Sequence, residues 1–320
     1  FFLYVIFFIG YPIVTSINLF LLIRMIHGAI YGFVTTAGNS LVVDILSSSR
    51  RGEGLGYFGV SNNLAMVVGP MTSLMLHENG SSYNTIFYLA FVFGLLGFVF
   101  ASLIKVKKPF NPTPDRVFAF DRFFLFKGFK ASFSFFLSGI PYGMFMTYLA
   151  IYGKELSIEV GLGLFFTLLA CGLVFSRSFS GKMVDKGKLT QVIKIGLFIS
   201  LIGLFLLAFL QRINMYNHTT VIVLFLLIPV ILGLGYGLIF PAFNTLFVNL
   251  APNNRRATAS STFMISWDLG LGSGFILGGW LADSVGGLSL AFLVGALLLL
   301  FSFVYFTKSV ELHFQRNKLR

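Results

Sequence analysis

The residue with the clearest capacity for chemistry is Asp268, which stands alone inside a long apolar segment. It lies about twelve residues after Ala257, so roughly 18 Å along a helix. A charged side chain at the centre of a bilayer costs about 2.5–3.5 kcal/mol on insertion scales, and such residues usually serve binding or ion coupling. We predict that Asp268 binds the coupling proton. A structural carboxylate, hydrogen-bonded to a neighbouring helix, is the alternative.

Arg24 and His27 form a second candidate pair, one helical turn apart on one face of another apolar segment. Histidine is the side chain that titrates near neutral pH. We therefore predict that both residues take part in proton coupling with Asp268. The alternative for Arg24 is a charge near the outer interface whose long side chain reaches water.

Other kinds of chemistry find no support in the sequence. There is one cysteine, Cys171, and the four histidines are far apart, without metal-ligand spacing. The stretch Gly54–Gly59 matches a dinucleotide motif by its letters, but it opens an apolar helix and follows no strand. No nucleophile motif or phosphate-binding loop is present. We expect a protein that is not an enzyme and uses no cofactor or metal.

The elements that carry these residues are membrane helices. The chain is 57% apolar and 11% charged, whereas globular domains have about 25% charged residues. The apolar runs are continuous, which favours helices of about 20 residues over the alternating strands of a barrel. The predicted helices cover residues 1–14, 18–43, 54–76, 84–104, 128–152, 160–181, 190–210, 220–247, 257–281 and 288–307.

The basic residues orient these helices. Of the 23 Lys and Arg residues, 20 fall on one set of loops, Lys154 and Arg212 fall on the other, and Arg24 lies inside a helix. Basic loops stay in the cytoplasm. We therefore predict a multi-pass protein of the plasma (bacterial inner) membrane with a cytoplasmic C-terminus. The net charge of +12 reflects this topology, so we expect the lipid bilayer as a partner and no nucleic acid.

The sequence repeats itself at an offset of 205 residues. Both copies carry an Arg-Arg pair on the cytoplasmic side, so the copies are parallel and each unit holds an even number of helices. The match joins helices 2 and 3 in the first copy and helices 8 and 9 in the second, which indicates six helices per unit. We expect two further helices before Phe1. The identities in the first copy are Gly28, Tyr31, Gly32, Ala37, Asn39, Leu41, Val43, Arg50, Arg51, Phe58, Ser61, Leu64 and Gly69.

Three motifs resemble those of the major facilitator superfamily. Gly181–Lys188 resembles the family's loop motif G-x-x-x-D-R/K-x-G-R/K in its second-half copy. Arg24–Gly28 resembles the motif R-x-x-Q-G, with His27 in place of Gln. Ala65–Ser73 resembles the antiporter motif G-x-x-x-G-P-x-x-G, with Ala and Ser in place of two glycines. Parallel six-helix halves joined by a basic loop are an established transporter plan.

The resemblance implies an all-α fold of two pseudo-symmetric six-helix bundles, with ten of twelve helices present. The predicted domains are an incomplete N-terminal bundle (1–104, family helices 3–6), a cytoplasmic linker (105–127), a C-terminal bundle (128–307) and a cytoplasmic tail (308–320). The predicted gating residues are Gly69, Pro70, Arg177, Gly181, Asp185 and Lys186. The predicted substrate path contains Asn39, Asn63, Asn244, Tyr142 and Trp267, with Tyr148 and Tyr236 as further candidates.

The function predicted from these features is proton-coupled export of a small organic molecule by alternating access, by a monomer. The motif around Gly69 and Pro70 favours export. Two alternatives remain open at this point, namely a proton- or sodium-coupled importer of a nutrient and a membrane sensor that binds a ligand without transporting it.

Overall fold

The computed structural model describes residues 1–45, 51–104, 124–158, 162–252, 255–284 and 286–319. Within these ranges every regular element is helical, so the all-α fold class is confirmed. The contacts divide the chain into two compact units, Phe1–Val117 and Phe118–Arg320. The domain boundaries predicted from the sequence stay a prediction.

The first unit packs its first helix against its last. The helices approach at Gly94, where a Cβ would lie in ordinary contact, 3.5 Å from the side chain of Val5. Most side chains of this unit are exposed, and most of the exposed ones are apolar. The helices are α1 (Phe2–Gly10, continued by a 3-10 turn at Tyr11–Ile13), α2 (Ile17–Ile45), α3 (Arg51–Glu78) and α4 (Tyr83–Ser102).

The second unit holds a dense core in which α5 packs on α9 and α10, and α8 packs on α6 and α7. A π-helical turn at Phe306–Val310 continues α10 into a short final helix. The helices are α5 (Phe129–Glu155), α6 (Leu162–Asp185), α7 (Leu189–Asn214), α8 (His218–Leu250), α9 (Arg256–Ala282), α10 (Gly287–Tyr305) and α11 (Glu311–Asn317).

Glycines bring the helices of the second unit into backbone contact. A Cβ at Gly143 of α5 would lie 2.5 Å from the carbonyl oxygen of Leu271 on α9, and a Cβ at Gly172 of α6 would lie 2.5 Å from that of Val230 on α8. Small residues at such crossings allow close packing in a membrane. The same two interfaces also contain Gly139, Gly233, Gly237, Gly270 and Gly274.

The ten apolar segments predicted from the sequence coincide with α1 to α10, and their ends agree within four residues. Six helical stretches of the described chain are long and apolar enough to cross a membrane, and two shorter apolar ones lie at Phe2–Ile13 and Gly163–Ser176. Helices α3 and α9 have 28 and 27 residues but are more polar. Asn63 and Asp268 thus lie on two helices that are long enough to cross a membrane but are not among the six most apolar stretches.

The helices that carry the repeat correspond to one another. Shifted by 205 residues, α2 falls on residues 222–250 of α8, and α3 falls on residues 256–283, of which α9 covers all but the last. Residues 46–50, between α2 and α3, lie outside the described part of the chain. Asn63 and Asp268 therefore occupy equivalent positions of α3 and α9.

Candidate functional site

Asp268 lies in the middle of α9, on the face that points away from the core of the second unit. Its side chain is exposed, and it shares this face with the exposed apolar residues Ile265, Leu269 and Ile276. It makes no hydrogen bond or ion pair with any residue that the structure describes. The alternative of a carboxylate bonded to a neighbouring helix therefore has no support within the described ranges.

Trp267, the neighbour of Asp268, is the centre of an aromatic cluster on the buried side of α9. Its ring lies 5.0 Å from the ring of Tyr142 and 5.0 Å from that of Phe135, both on α5. The rings of Phe240 and Tyr236 on α8 lie 5.4 and 6.3 Å away. Three helices thus meet at Trp267, and one peptide unit links this aromatic core to the exposed carboxylate.

The polar tips of the aromatic cluster differ in their bonding. The hydroxyl of Tyr236 donates to the carbonyl of Ser138 at 3.1 Å. The Tyr142 hydroxyl and the Trp267 indole N–H have no hydrogen-bond partner among the described residues, although both side chains are only 4% exposed. Neither atom is among the fully buried unpartnered atoms of the described residues, so each keeps some exposure and can bind water or a ligand. The predicted path residues Tyr142 and Trp267 are brought together here.

The other predicted path residues are separated from this cluster or are not described. Asn244 lies on α8, where its side chain is exposed. The side chains of Asn39 and Asn63 lie outside the described residues. The hydroxyl of Tyr148 donates to the carbonyl of Phe275 at 2.7 Å. This bond joins α5 to α9, so the Tyr148 hydroxyl has a role in helix packing.

Arg24 and His27 are adjacent on α2 but occupy opposite environments. Arg24 is exposed, whereas His27 is 5% exposed and sits among the rings of Tyr4, Phe8 and Tyr11. Tyr11 connects the two residues, because its hydroxyl lies 2.7 Å from His27 Nδ1 while its ring lies 5.9 Å from the Arg24 guanidinium carbon. Sequence reasoning did not identify Tyr11, since no spacing rule pairs it with α2.

Replacing Tyr11 with Phe is expected to destabilise the first unit by about 1–3 kcal/mol. The ring and its contact with Arg24 stay, but His27 Nδ1 loses its partner, and the other ring nitrogen is already buried without one. Thermal unfolding of the purified protein measures the change. Tyr83→Phe is the matched control, because it removes an exposed Tyr–His contact of 3.5 Å to His77. Equal losses for both variants would contradict the predicted role of Tyr11.

The predicted gating motif, Gly181–Lys188, covers the end of α6 and the loop that follows it, and the geometry of this loop is that of a helix C-cap. Gly187 has φ +75°, and its N–H donates to the Val184 carbonyl at 2.9 Å, while the N–H of Lys188 donates to Met183 at 3.1 Å. This pair of bonds is a Schellman motif, which requires the left-handed glycine. Lys186 is exposed. The side chains of Arg177 and Asp185 lie outside the described residues, and at Gly181 only the helical backbone is described.

Helix α3 continues through the Gly69-Pro70 pair. Proline removes one backbone donor and weakens the helix at this point. The hydroxyls of Thr72 and Ser73 bond to the carbonyls of Val68 and Gly69 at 2.7 and 2.9 Å. A Cβ at Gly69 would meet no described atom within 4 Å. The pair marks a locally weakened helix, and its gating role stays a prediction.

No group of three or more His, Cys, Asp or Glu residues that could hold a metal ion occurs in the described part of the chain. The described residues form apolar helices, with the carboxylate of Asp268 in the middle of α9 and an aromatic cluster around Trp267 that contains two donors without partners. These features are those of a multi-pass helical membrane protein.

The family model of the Major Facilitator Superfamily matches residues 1–274 and, overlapping with them, 131–318. The chain belongs to this superfamily of membrane transporters. It is 26% identical over 288 residues to an uncharacterized MFS-type transporter of Methanocaldococcus jannaschii (86% of this chain, 71% of that one). It is 25% identical over 297 residues to the multidrug resistance protein MdtG of Serratia proteamaculans (89% and 69%).

The fold is also that of a solved transporter. A bacterial homologue of the human lysosomal transporter Spinster, in an inward-facing and unoccupied conformation, aligns with a TM-score of 0.67 and 14% identity. The alignment covers 99% of this chain and 82% of the other. The predicted major facilitator fold is thereby confirmed.

Proposed function

We propose that this protein is a proton-coupled exporter of small organic molecules that works by alternating access. The observation that carries the proposal is Asp268, a carboxylate at mid-helix that no described residue neutralises or bonds. A group in that position changes its charge at low structural cost, because no internal contact is broken when a proton binds. Substrate and proton then compete for one carrier, and this competition couples their opposite movements.

Export, rather than import, is supported by two features. The motif around Gly69 and Pro70 is similar to that of antiporters in the family. The similarity to MdtG, which is named a multidrug resistance protein, extends over 89% of this chain. Gly69, Pro70 and the loop residues Arg177, Gly181, Asp185 and Lys186 are the proposed gating elements. We assign the transporter to the plasma membrane, as a monomer with its C-terminus in the cytoplasm.

The substrate we propose is an apolar or amphipathic organic molecule with a hydrogen-bond acceptor. The aromatic cluster around Trp267 offers stacking surface, and the Tyr142 hydroxyl and Trp267 N–H offer donors without partners. Aromatic rings with a polar tip bind molecules that are apolar at one end and polar at the other. Asn39, Asn63 and Asn244 are the proposed polar lining of the path.

A transport assay tests the proposal. The gene is expressed in an efflux-deficient bacterial host, and the accumulation of labelled drugs, sugars and metabolites is measured with and without a protonophore. We expect lower accumulation of at least one amphipathic compound, and we expect the protonophore to remove this difference. Energy-dependent gain of a compound would make the protein an importer. Ligand binding without any flux would make it a sensor.

A further inference from the structure

A basic pocket lies at the end of the second unit where α5 begins and the chain ends. Its volume is about 250 Å³. Lys130 comes from the first turn of α5, and the other lining residues come from the π-helical turn and α11. π-Helical turns are frequent at functional sites. The lining residues are Lys130, Lys308, Ser309, Leu312, His313, Arg316 and Asn317.

The wall of this pocket is fixed by buried contacts. Phe314 is 5% exposed and anchors α11 to the bundle. His313 Nε2 lies 2.8 Å from the carbonyl of Lys127, and Asn317 donates to the carbonyl of His313 at 2.9 Å. The N–H of Leu319 donates to Asn249 at the end of α8 at 2.9 Å. The pocket is therefore built into the fold and does not depend on a free tail.

The charge of the pocket is uncompensated within the described residues. Lys130, Lys308 and Arg316 make no ion pair there. Glu311, the acidic residue of the same segment, is held on another side of the helix by Lys194 at 2.8 Å. The pocket thus offers three cations and the Ser309 hydroxyl to an anion.

An exposed aromatic seam lies next to the basic pocket, one turn along the same two helices. The rings of Phe133 on α5 and Tyr305 on α10 lie 5.4 Å apart, and Phe301 lies 6.5 Å from Phe133. Phe133 and Phe301 are 37% and 53% exposed. Beneath the pocket the surface is therefore apolar, as an acyl chain requires.

We propose that this pocket binds the phosphate headgroup of an anionic phospholipid, whose acyl chains lie along the seam of Phe133, Phe301 and Tyr305. The cations and the Ser309 hydroxyl match a phosphate diester, and the exposed rings distinguish a lipid from a free anion. A basic residue near an anionic membrane surface contributes a factor of about five in binding. The bound headgroup contacts both the first turn of α5 and the segment formed by the π-helical turn and α11.

Native mass spectrometry of the purified protein tests this site, with short-chain phosphatidylglycerol as the probe. Phosphatidylcholine and inorganic phosphate serve as comparison ligands. We expect phosphatidylglycerol to bind at least about fivefold more tightly than either one, and Lys308→Gln to lower its affinity about fivefold. Lys188→Gln is the matched control, because it removes the same charge from an exposed position outside the pocket.

Two outcomes would overturn the proposal. Equal weakening by Lys308→Gln and Lys188→Gln would show that lipid binding reflects the general basic charge of the protein. Binding of inorganic phosphate as tight as that of phosphatidylglycerol would show an anion site without a lipid. Both measurements record lipid binding and not transport. A result that contradicts the lipid site therefore does not contradict the proposed function, and the reverse also holds.

Discussion

Replacing Asp268 with Asn is expected to abolish uphill transport while the protein remains folded. Asparagine has nearly the same shape but binds no proton, so substrate movement is no longer coupled to the proton gradient. One proton moving through 100 mV supplies about 2.3 kcal/mol, which sustains a substrate gradient of roughly 40-fold. The variant is expected to lose this gradient. Proteoliposomes with an imposed pH gradient and membrane potential measure it.

The unfolding free energy of the Asp268→Asn variant is expected to stay within about 0.5 kcal/mol of the original, because the side chain is exposed and has no described partner. Exchange of substrate across the membrane without a gradient is expected to remain. Asp283→Asn is the control, since it makes the same change at the end of the same helix. Uphill transport by the Asp268 variant at the original level would refute the proposed coupling.

Replacing Gly143 with Ala is expected to destabilise the second unit by adding a single methyl group between α5 and α9. The new Cβ would lie 2.5 Å from the carbonyl oxygen of Leu271 and 3.1 Å from its Cα, so α5 and α9 must move apart. Overpacking of this kind costs about 1–3 kcal/mol. The crossing also holds Trp267 against Tyr142, so substrate affinity is expected to fall as well. Thermal unfolding and ligand binding measure the two effects.

Gly272→Ala on α9 is the matched control for this prediction. A Cβ at Gly272 would meet no described atom within 4 Å. Inside a helix, alanine is more stable than glycine by up to about 1 kcal/mol. This variant is therefore expected to be neutral or slightly more stable. Similar losses for both variants would show that backbone flexibility, rather than contact between α5 and α9, determines the cost.

Much of the fold follows from local sequence patterns. Continuous apolar runs predict α1 to α10 within a few residues, because a helix in a membrane satisfies its own backbone and needs no distant partner. The repeat predicts that helices 2 and 3 correspond to helices 8 and 9, and at an offset of 205 residues α2 and α3 fall on α8 and α9. The hydropathy pattern is less informative for α3 and α9, whose polar residues place them below the most apolar helices.

The candidate site follows from the sequence only in part. The apolar surroundings of Asp268 identify it without any structure, because a charge in such a run is costly. The helical spacing of Arg24 and His27 predicts one shared environment, whereas the structure exposes the first and buries the second. Their connection through Tyr11 depends on how α1 packs against α2, and no pattern within either helix encodes that contact.

The sequence by itself determined the membrane class, the number of helices, the internal repeat and the major facilitator resemblance. These properties depend on composition and on spacing along one segment. Only the tertiary structure decided which groups come together: the Tyr236 hydroxyl bonds to the carbonyl of Ser138, 98 residues away, Trp267 packs against Tyr142, and Lys130 lines one pocket with Arg316. Such contacts join helices that are distant in the chain, and the packing of glycines and aromatic rings across their interfaces brings them together.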